Sequence, residues 1–116
     1  MADFVDVARS SELKDGAMKM VSASGREILL ARVGDKIYAA NNRCPHLRGN
    51  LSRGKLEGTI VTCPRHASQF DLTDGRIIRW TGWAGLLLRV SKALKPPRPL
   101  KTYKVKVEGD TILVEI

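Results

Sequence analysis

Two short stretches, Cys44-Pro45-His46-Leu47 and Cys63-Pro64-Arg65-His66, carry the residues whose types and spacing could do chemistry. They hold both cysteines and both histidines of the chain. A Cys-x-His…Cys-x-x-His arrangement suits a mixed-ligand [2Fe-2S] centre, with two thiolates on one iron and two imidazoles on the other. One residue separates Cys44 from His46 and two separate Cys63 from His66, so each loop can offer one sulfur and one nitrogen to different irons. A proline directly after each cysteine restricts the backbone where ligand geometry must be rigid. The expected ligands are Cys44, His46, Cys63 and His66.

The ligand set has an electronic consequence. Two ferric ions, two sulfides and two thiolates sum to zero formal charge, whereas four thiolates would leave the oxidised cluster doubly negative. An added electron is accepted more readily by the neutral centre, which is why such centres lie at roughly −150 to +300 mV against about −400 mV for four-thiolate plant-type clusters. A zinc site with the same four ligands is the plain alternative. Zinc knots usually begin with a Cys-x-x-Cys hook, and this chain has none. A catalytic cysteine would leave the second Cys-His pair without a role.

The elements that must position these loops read as strands and turns. Phe4 to Val7 alternates like an edge strand, and Ser10 to Gly16 is a polar turn region with room for one helical turn. Met18 to Val21, Glu27 to Arg32 and Lys36 to Ala40 read as a meander that turns at Ser24-Gly25 and Gly34-Asp35 and delivers the chain to Cys44. Leu56 to Thr62 leads by a turn and a strand into Cys63. Gln69 to Leu72 leaves the second loop, Thr73-Asp74-Gly75 turns, and Arg76 to Arg79 starts the way back. Thr102 to Val107 and Thr111 to Ile116, around Glu108-Gly109-Asp110, read as a closing hairpin of period two. Between Trp80 and Pro99 the pattern changes: Trp80, Trp83, Leu87, Val90 and Leu94 recur at helical steps among Arg89, Lys92 and Lys95, which predicts a short helix in residues 83–95 ended by Pro96-Pro97.

Composition bounds the rest. At 116 residues and 43% apolar content the chain is one domain, 1–116, with the cluster-binding part at about 41–79. The N-terminal residues carry acids and no apolar run, so no secretory signal or membrane anchor is expected. Both cysteines are claimed as ligands, which leaves no structural disulfide and agrees with a reducing, cytoplasmic setting. The formal charge of +8 is uneven. Residues 76–106 hold nine basic side chains and no acid, while residues 1–39 sum to zero. The basicity therefore marks a local docking face for a partner with acidic residues, on residues 76–106 or at the Arg43, Arg48, Arg65 end. Lys104 and Lys106 also read as the solvated face of an edge strand. No recognisable nucleic-acid-binding module accompanies the charge, so no nucleic acid is expected. The stretch Trp80 to Leu94 is open to three readings: a helix packed on its own sheets, a docking helix, or a weak membrane-surface association.

With those residues in place the chain resembles the Rieske-type ferredoxin family, over about Phe4 to Ile116. The similarity is carried by Cys44-Pro45-His46-Leu47-Arg48-Gly49, Leu51-Ser52-Arg53-Gly54, Leu56-Glu57-Gly58, Cys63-Pro64-Arg65-His66 and Phe70-Asp71-Leu72-Thr73-Asp74-Gly75. It implies an all-β domain of three antiparallel sheets with the cluster at one exposed end and the His46 and His66 rings facing solvent. Ser68 matches a serine that in high-potential members donates a hydrogen bond to a cluster sulfide, and Phe70 takes the place of a second donor, a tyrosine. Arg65 stands where the family usually has an aromatic residue, Ala67 where it has glycine, and the Trp80 to Pro99 linker is longer than usual. The quinol-oxidising members carry an extra cysteine in each ligand loop, joined as a disulfide, and a membrane anchor; this chain has no third cysteine, and no anchor is expected. The resemblance thus implies an electron carrier and not an enzyme: a ferredoxin between a reductase and an oxygenase or, alternatively, the small subunit of a nitrite reductase-like complex. A rival from another class is a zinc-stabilised binding or regulatory module.

Overall fold

The computed structural model describes residues 4–45, 49–65, 67–79 and 98–116, which form eleven strands in three antiparallel sheets. The strands are β1 (Phe4–Arg9), β2 (Met18–Ala23), β3 (Arg26–Val33), β4 (Lys36–Asn41), β5 (Lys55–Glu57), β6 (Ile60–Thr62), β7 (Gln69–Asp71), β8 (Ile77–Arg79), β9 (Thr102–Tyr103), β10 (Val105–Glu108) and β11 (Thr111–Glu115). They assemble as β1-β11-β10, β2-β3-β4-β9 and β5-β6-β7-β8. The described helical pieces are single 3-10 turns at Ser10–Glu12 and Leu51–Arg53. The helix expected at 83–95 lies outside the described residues. Among those described, no helix is long and apolar enough to cross a membrane.

The sheet β2-β3-β4-β9 is the middle layer, and β3 shows why. Ile28, Leu29, Leu30 and Ala31 are all buried, so this strand has an apolar residue on each face in turn. Ile28 and Leu30 pack with Leu13, Val21, Ala39, Ile112 and Val114 of the first sheet's core. Leu29 and Ala31 point the other way, into a second core with Ala40, Leu51, Val61, Phe70, Leu72 and Leu100. Each buried leucine or isoleucine contributes about 1.5–3 kcal/mol, so one strand ties together both halves of the molecule.

The turns follow from local chemistry. Ser24 and Gly25 both lie at positive φ, 51° and 75°, between the paired residues Ala23 and Arg26. That is the backbone a two-residue hairpin needs to match the twist of its strands.

The closing segment departs from the single strand expected over Thr102 to Val107. Thr102 and Tyr103 pair with Ala40 and Ala39 of β4, whereas Val105 to Glu108 pair with β11. The chain changes sheets at Lys104, whose carbonyl accepts from the Glu115 N–H at 2.9 Å. Both halves satisfy the same alternation, which hides the switch. Lys106 is on the edge strand β10 and pairs with Glu108 at 2.8 Å in solvent, as an edge-protecting lysine does.

The return of the second ligand loop is held by Asp71. Its carboxylate accepts from the Thr73 N–H (3.0 Å), the Thr73 hydroxyl (2.7 Å) and the Arg76 guanidinium (2.9 Å), with the side chain only 8% exposed. The Thr73 N–H foremost, with the hydroxyls of Thr73 and Thr59 and then Arg76, holds its pKa below the ordinary 3.8 against the opposing effect of burial. A lowered carboxylate pKa gives stability that is complete above the unfolded value and is lost as pH falls through the folded value. Asp71→Asn should therefore lower stability at neutral pH by about 1–3 kcal/mol. The gap to wild type should close below about pH 4, as thermal melts across pH would read; a gap that stays constant into acid would remove Asp71 from this role.

Candidate metal centre

The two cysteine loops are built alike. Cys44 follows β4, and its N–H donates to the Gly49 carbonyl at 2.9 Å; Cys63 follows β6, and its N–H donates to the Ser68 carbonyl at 2.8 Å. In each loop the cysteine is the first residue and the sixth closes it, so each thiol sits at the same place in an equivalent frame. Both thiols are buried, at 1% and 3% exposure, and neither is in a disulfide.

Beneath the first loop lies a polar latch. Asn42 is buried at the end of β4. Its Nδ2 donates to Asn50 Oδ1 at 2.9 Å, its Oδ1 accepts from the Ser52 N–H at 3.0 Å, and its carbonyl accepts from the Leu51 N–H at 2.9 Å. Asn50 also accepts from the Ser52 hydroxyl at 2.6 Å, and a bridge pairs Arg43 with Asn50. A buried amide stripped of such partners would cost about 1–3 kcal/mol, so this side chain specifies one loop conformation. Arg43, next to Cys44, forks onto Glu27 through Nε (2.6 Å) and Nη2 (3.1 Å). The Glu27 carboxylate raises the Arg43 pKa further, so the cation beside the loop is permanent.

Glycines bring the loops together. A β-carbon on Gly49 would lie 2.5 Å from Cys63 Sγ and 3.1 Å from Arg65 Cγ, so the first loop rests directly on the second cysteine. A β-carbon on Gly54 would collide with the Thr62 carbonyl, one residue before Cys63. The Arg65 stem covers the same seam. Ala67, in place of the family's glycine, has φ 60°, a left-handed conformation that costs an L side chain about 1–2 kcal/mol. Hydrogen bonds from the Ala67 N–H to the Cys63 carbonyl (3.1 Å) and from Arg79 Nε to the Ala67 carbonyl (3.0 Å) hold it there. Ser68 is buried beside Cys63, and Phe70 lies in the core below.

The structure thus places Cys44, Cys63 and Ser68 at one end of the second core, while His46 and His66 lie outside the described residues. Among those described, no group of three or more His, Cys, Asp or Glu side chains could hold a metal. Asn42, Asn50, Gly49 and Gly54 were not singled out from sequence as site residues. The signals were there, in an asparagine just before the cysteine run and glycines inside it. Two buried, unoxidised thiols delivered from separate rigid loops, with a bare glycine against one sulfur, fit a cluster bound by thiolates.

The model of the Rieske [2Fe-2S] domain matches residues 3–104. The chain belongs to the Rieske [2Fe-2S] domain family. It is 31% identical over 115 residues to the ferredoxin component of the naphthalene 1,2-dioxygenase system of Pseudomonas aeruginosa, covering 97% of this chain and 95% of that one. The ferredoxin of carbazole 1,9a-dioxygenase from Nocardioides aromaticivorans IC177 superposes with a TM-score of 0.79 at 29% identity, covering 96% and 95%. A ferredoxin seen in a complex of reduced oxygenase and oxidised ferredoxin in carbazole 1,9a-dioxygenase gives 0.76 at 26%, covering 97% and 92%. The cofactor of this Rieske domain is accordingly a Rieske-type [2Fe-2S] cluster, which leaves the zinc reading without support. Because the φ of Gly49 is one that any residue can adopt, only space forbids a side chain there. Gly49→Ala should displace Cys63 Sγ and cut the iron content of the purified protein severalfold, with its strand signal in circular dichroism kept; full iron loading would show that the loops do not meet at this glycine.

Proposed function

We propose that this chain is a one-electron carrier, the ferredoxin component of a multicomponent oxygenase system, taking an electron from a reductase and passing it to the oxygenase. The observation that carries the reading is the pair of buried thiols, Cys44 and Cys63, brought to one seam by equivalent loops. End-to-end similarity to a dioxygenase ferredoxin supports it. The whole chain, 1–116, acts as a single domain whose residues 41–79 bind the cluster. Cys44 and Cys63 would hold the cluster as thiolates, and His46 and His66 would hold it as imidazoles. A bound Rieske-type cluster supplies a reversible one-electron couple.

The chain's own residues do the rest. Burial of the cysteines keeps water from the sulfurs, the Asn42–Asn50 latch fixes the first loop, and the Ser68 hydroxyl would donate to a sulfide of the bound cluster, which would favour the reduced state. With Phe70 in place of a tyrosine, one such donor operates. On this reading the protein carries electrons in the cytoplasm and leaves catalysis to its partner. The exposed Arg79, Arg98 and Lys101 favour a reductase or oxygenase that presents an acidic face.

Iron and sulfide analysis with low-temperature electron spin resonance after reduction tests the ligand set. Cys44, His46, Cys63 and His66, each replaced by alanine, should lose the native signal; a variant with full iron and an unchanged spectrum is not a ligand variant. Rapid mixing of the reduced protein with an oxygenase should reoxidise it, and failure with every oxygenase tried would sink the carrier role. Ser68→Ala should keep its iron and lower the potential by on the order of 50 mV, about 1 kcal/mol for one electron, as voltammetry reads.

A further inference from the structure

An open polar cleft lies across the end of the middle sheet from which β4 runs into the first cysteine loop. Its volume is about 620 Å³, and Arg26, Glu27, Asn41, Arg43, Lys101 and Tyr103 line it. The strand pairing brings them together: Arg26 and Glu27 open β3, Asn41 closes β4, and the Asn41 N–H donates to the Lys101 carbonyl at 2.8 Å. Arg26 and Lys101 are exposed, and among the described residues neither forms an ion pair. Lys101 Nζ stands 5.2 Å from the Tyr103 ring centroid, a cation–π contact between two residues of the cleft lining.

We propose that this cleft is a docking site for a carboxylate-bearing side chain on the acidic face of the redox partner. The inference rests on the electron-carrier reading and gives that reading a place. Among the described residues of the lining, three cations surround one carboxylate, so this part of the cleft is net positive yet not strongly so. The Arg43–Glu27 fork already displays the geometry in which this lining accepts a carboxylate. Glu27 would repel a doubly charged phosphate monoester more than a single carboxylate, which favours a carboxylate over that group. The cleft is open and polar, suited to side chains projecting from a partner rather than to an enclosed small molecule. Because Arg43 is bonded to Cys44, a partner anchored here stands beside the first cysteine loop. Docking and electron delivery then share one approach.

The test uses cluster-loaded protein and an octaglutamate peptide, titrated by calorimetry at low ionic strength, where screening is weak. The double variant Arg26→Glu/Lys101→Glu should bind at least tenfold more weakly than wild type, and Arg26→Gln/Lys101→Gln should fall between. Lys14→Glu/Lys36→Glu carries the same change in net charge near the β3–β4 turn, at the opposite end of the sheet, and should stay within about twofold of wild type, since distant exposed charges are screened. Equal weakening in both charge-reversed variants would mean that net charge alone is read, and would overturn the proposal. So would tighter, cleft-dependent binding to vesicles of phosphatidylcholine and phosphatidylglycerol, which would make the occupant a lipid surface. Cluster absorbance is read on every sample. Wild-type protein that assembles no cluster refutes the carrier reading, whereas loaded protein whose cleft variant binds like wild type refutes only the docking site.

Discussion

Two sulfur atoms must reach one point from loops on different sheets, and much of this structure is arranged to let them. Each cysteine closes its own loop by a backbone hydrogen bond to the sixth residue, and the loops then meet where a glycine touches the other loop's sulfur. Metal binding displaces the thiol protons and then needs both sulfurs held at fixed positions, which calls for a stiff frame. Stiffness comes from the buried Asn42 amide on one side and from the Asp71 turn on the other. Both are polar groups satisfied in the interior, where the cost of a missing partner enforces a single arrangement.

Beneath the loops, β3 joins the two cores. Its even and odd residues are buried against different sheets, so the core that contains the cysteines cannot move independently of the one that seals β1 and β11. Rigidity of this kind suits a protein that exchanges electrons, because a ligand frame that shifted little between oxidation states would keep reorganisation small. The left-handed Ala67 is a local cost accepted within that frame.

Much of this was legible in the residues themselves. The paired cysteines, the alternating strands and the Gly-containing turns each have a short-range physical cause that a sequence displays. Sheet membership does not. The run Thr102 to Val107 alternates without interruption, yet its halves pair with different sheets, because the switch is decided by partners far away in sequence. Asn42 was not singled out for a similar reason: a buried amide and a turn asparagine look alike until the partners are seen. The basic character of residues 76–106 was plain, whereas the cleft draws on Arg26 and Arg43 from outside that segment and needed the strand pairing to assemble it.

The pairing of β4 with β9 has one more implication. The chain leaves the middle sheet after Asn41 and comes back beside it at Lys101, where the Asn41 N–H donates to the Lys101 carbonyl at 2.8 Å next to the paired residues Ala40 and Thr102. The segment that carries both cysteine loops thus starts and ends at one place on that sheet. It is not separable from its host, because Leu29, Ala31 and Ala40 of the middle sheet pack against its Leu51, Val61 and Phe70. Removing it would bare one face of β3 to water, so the middle sheet depends on the cysteine loops as much as they depend on it.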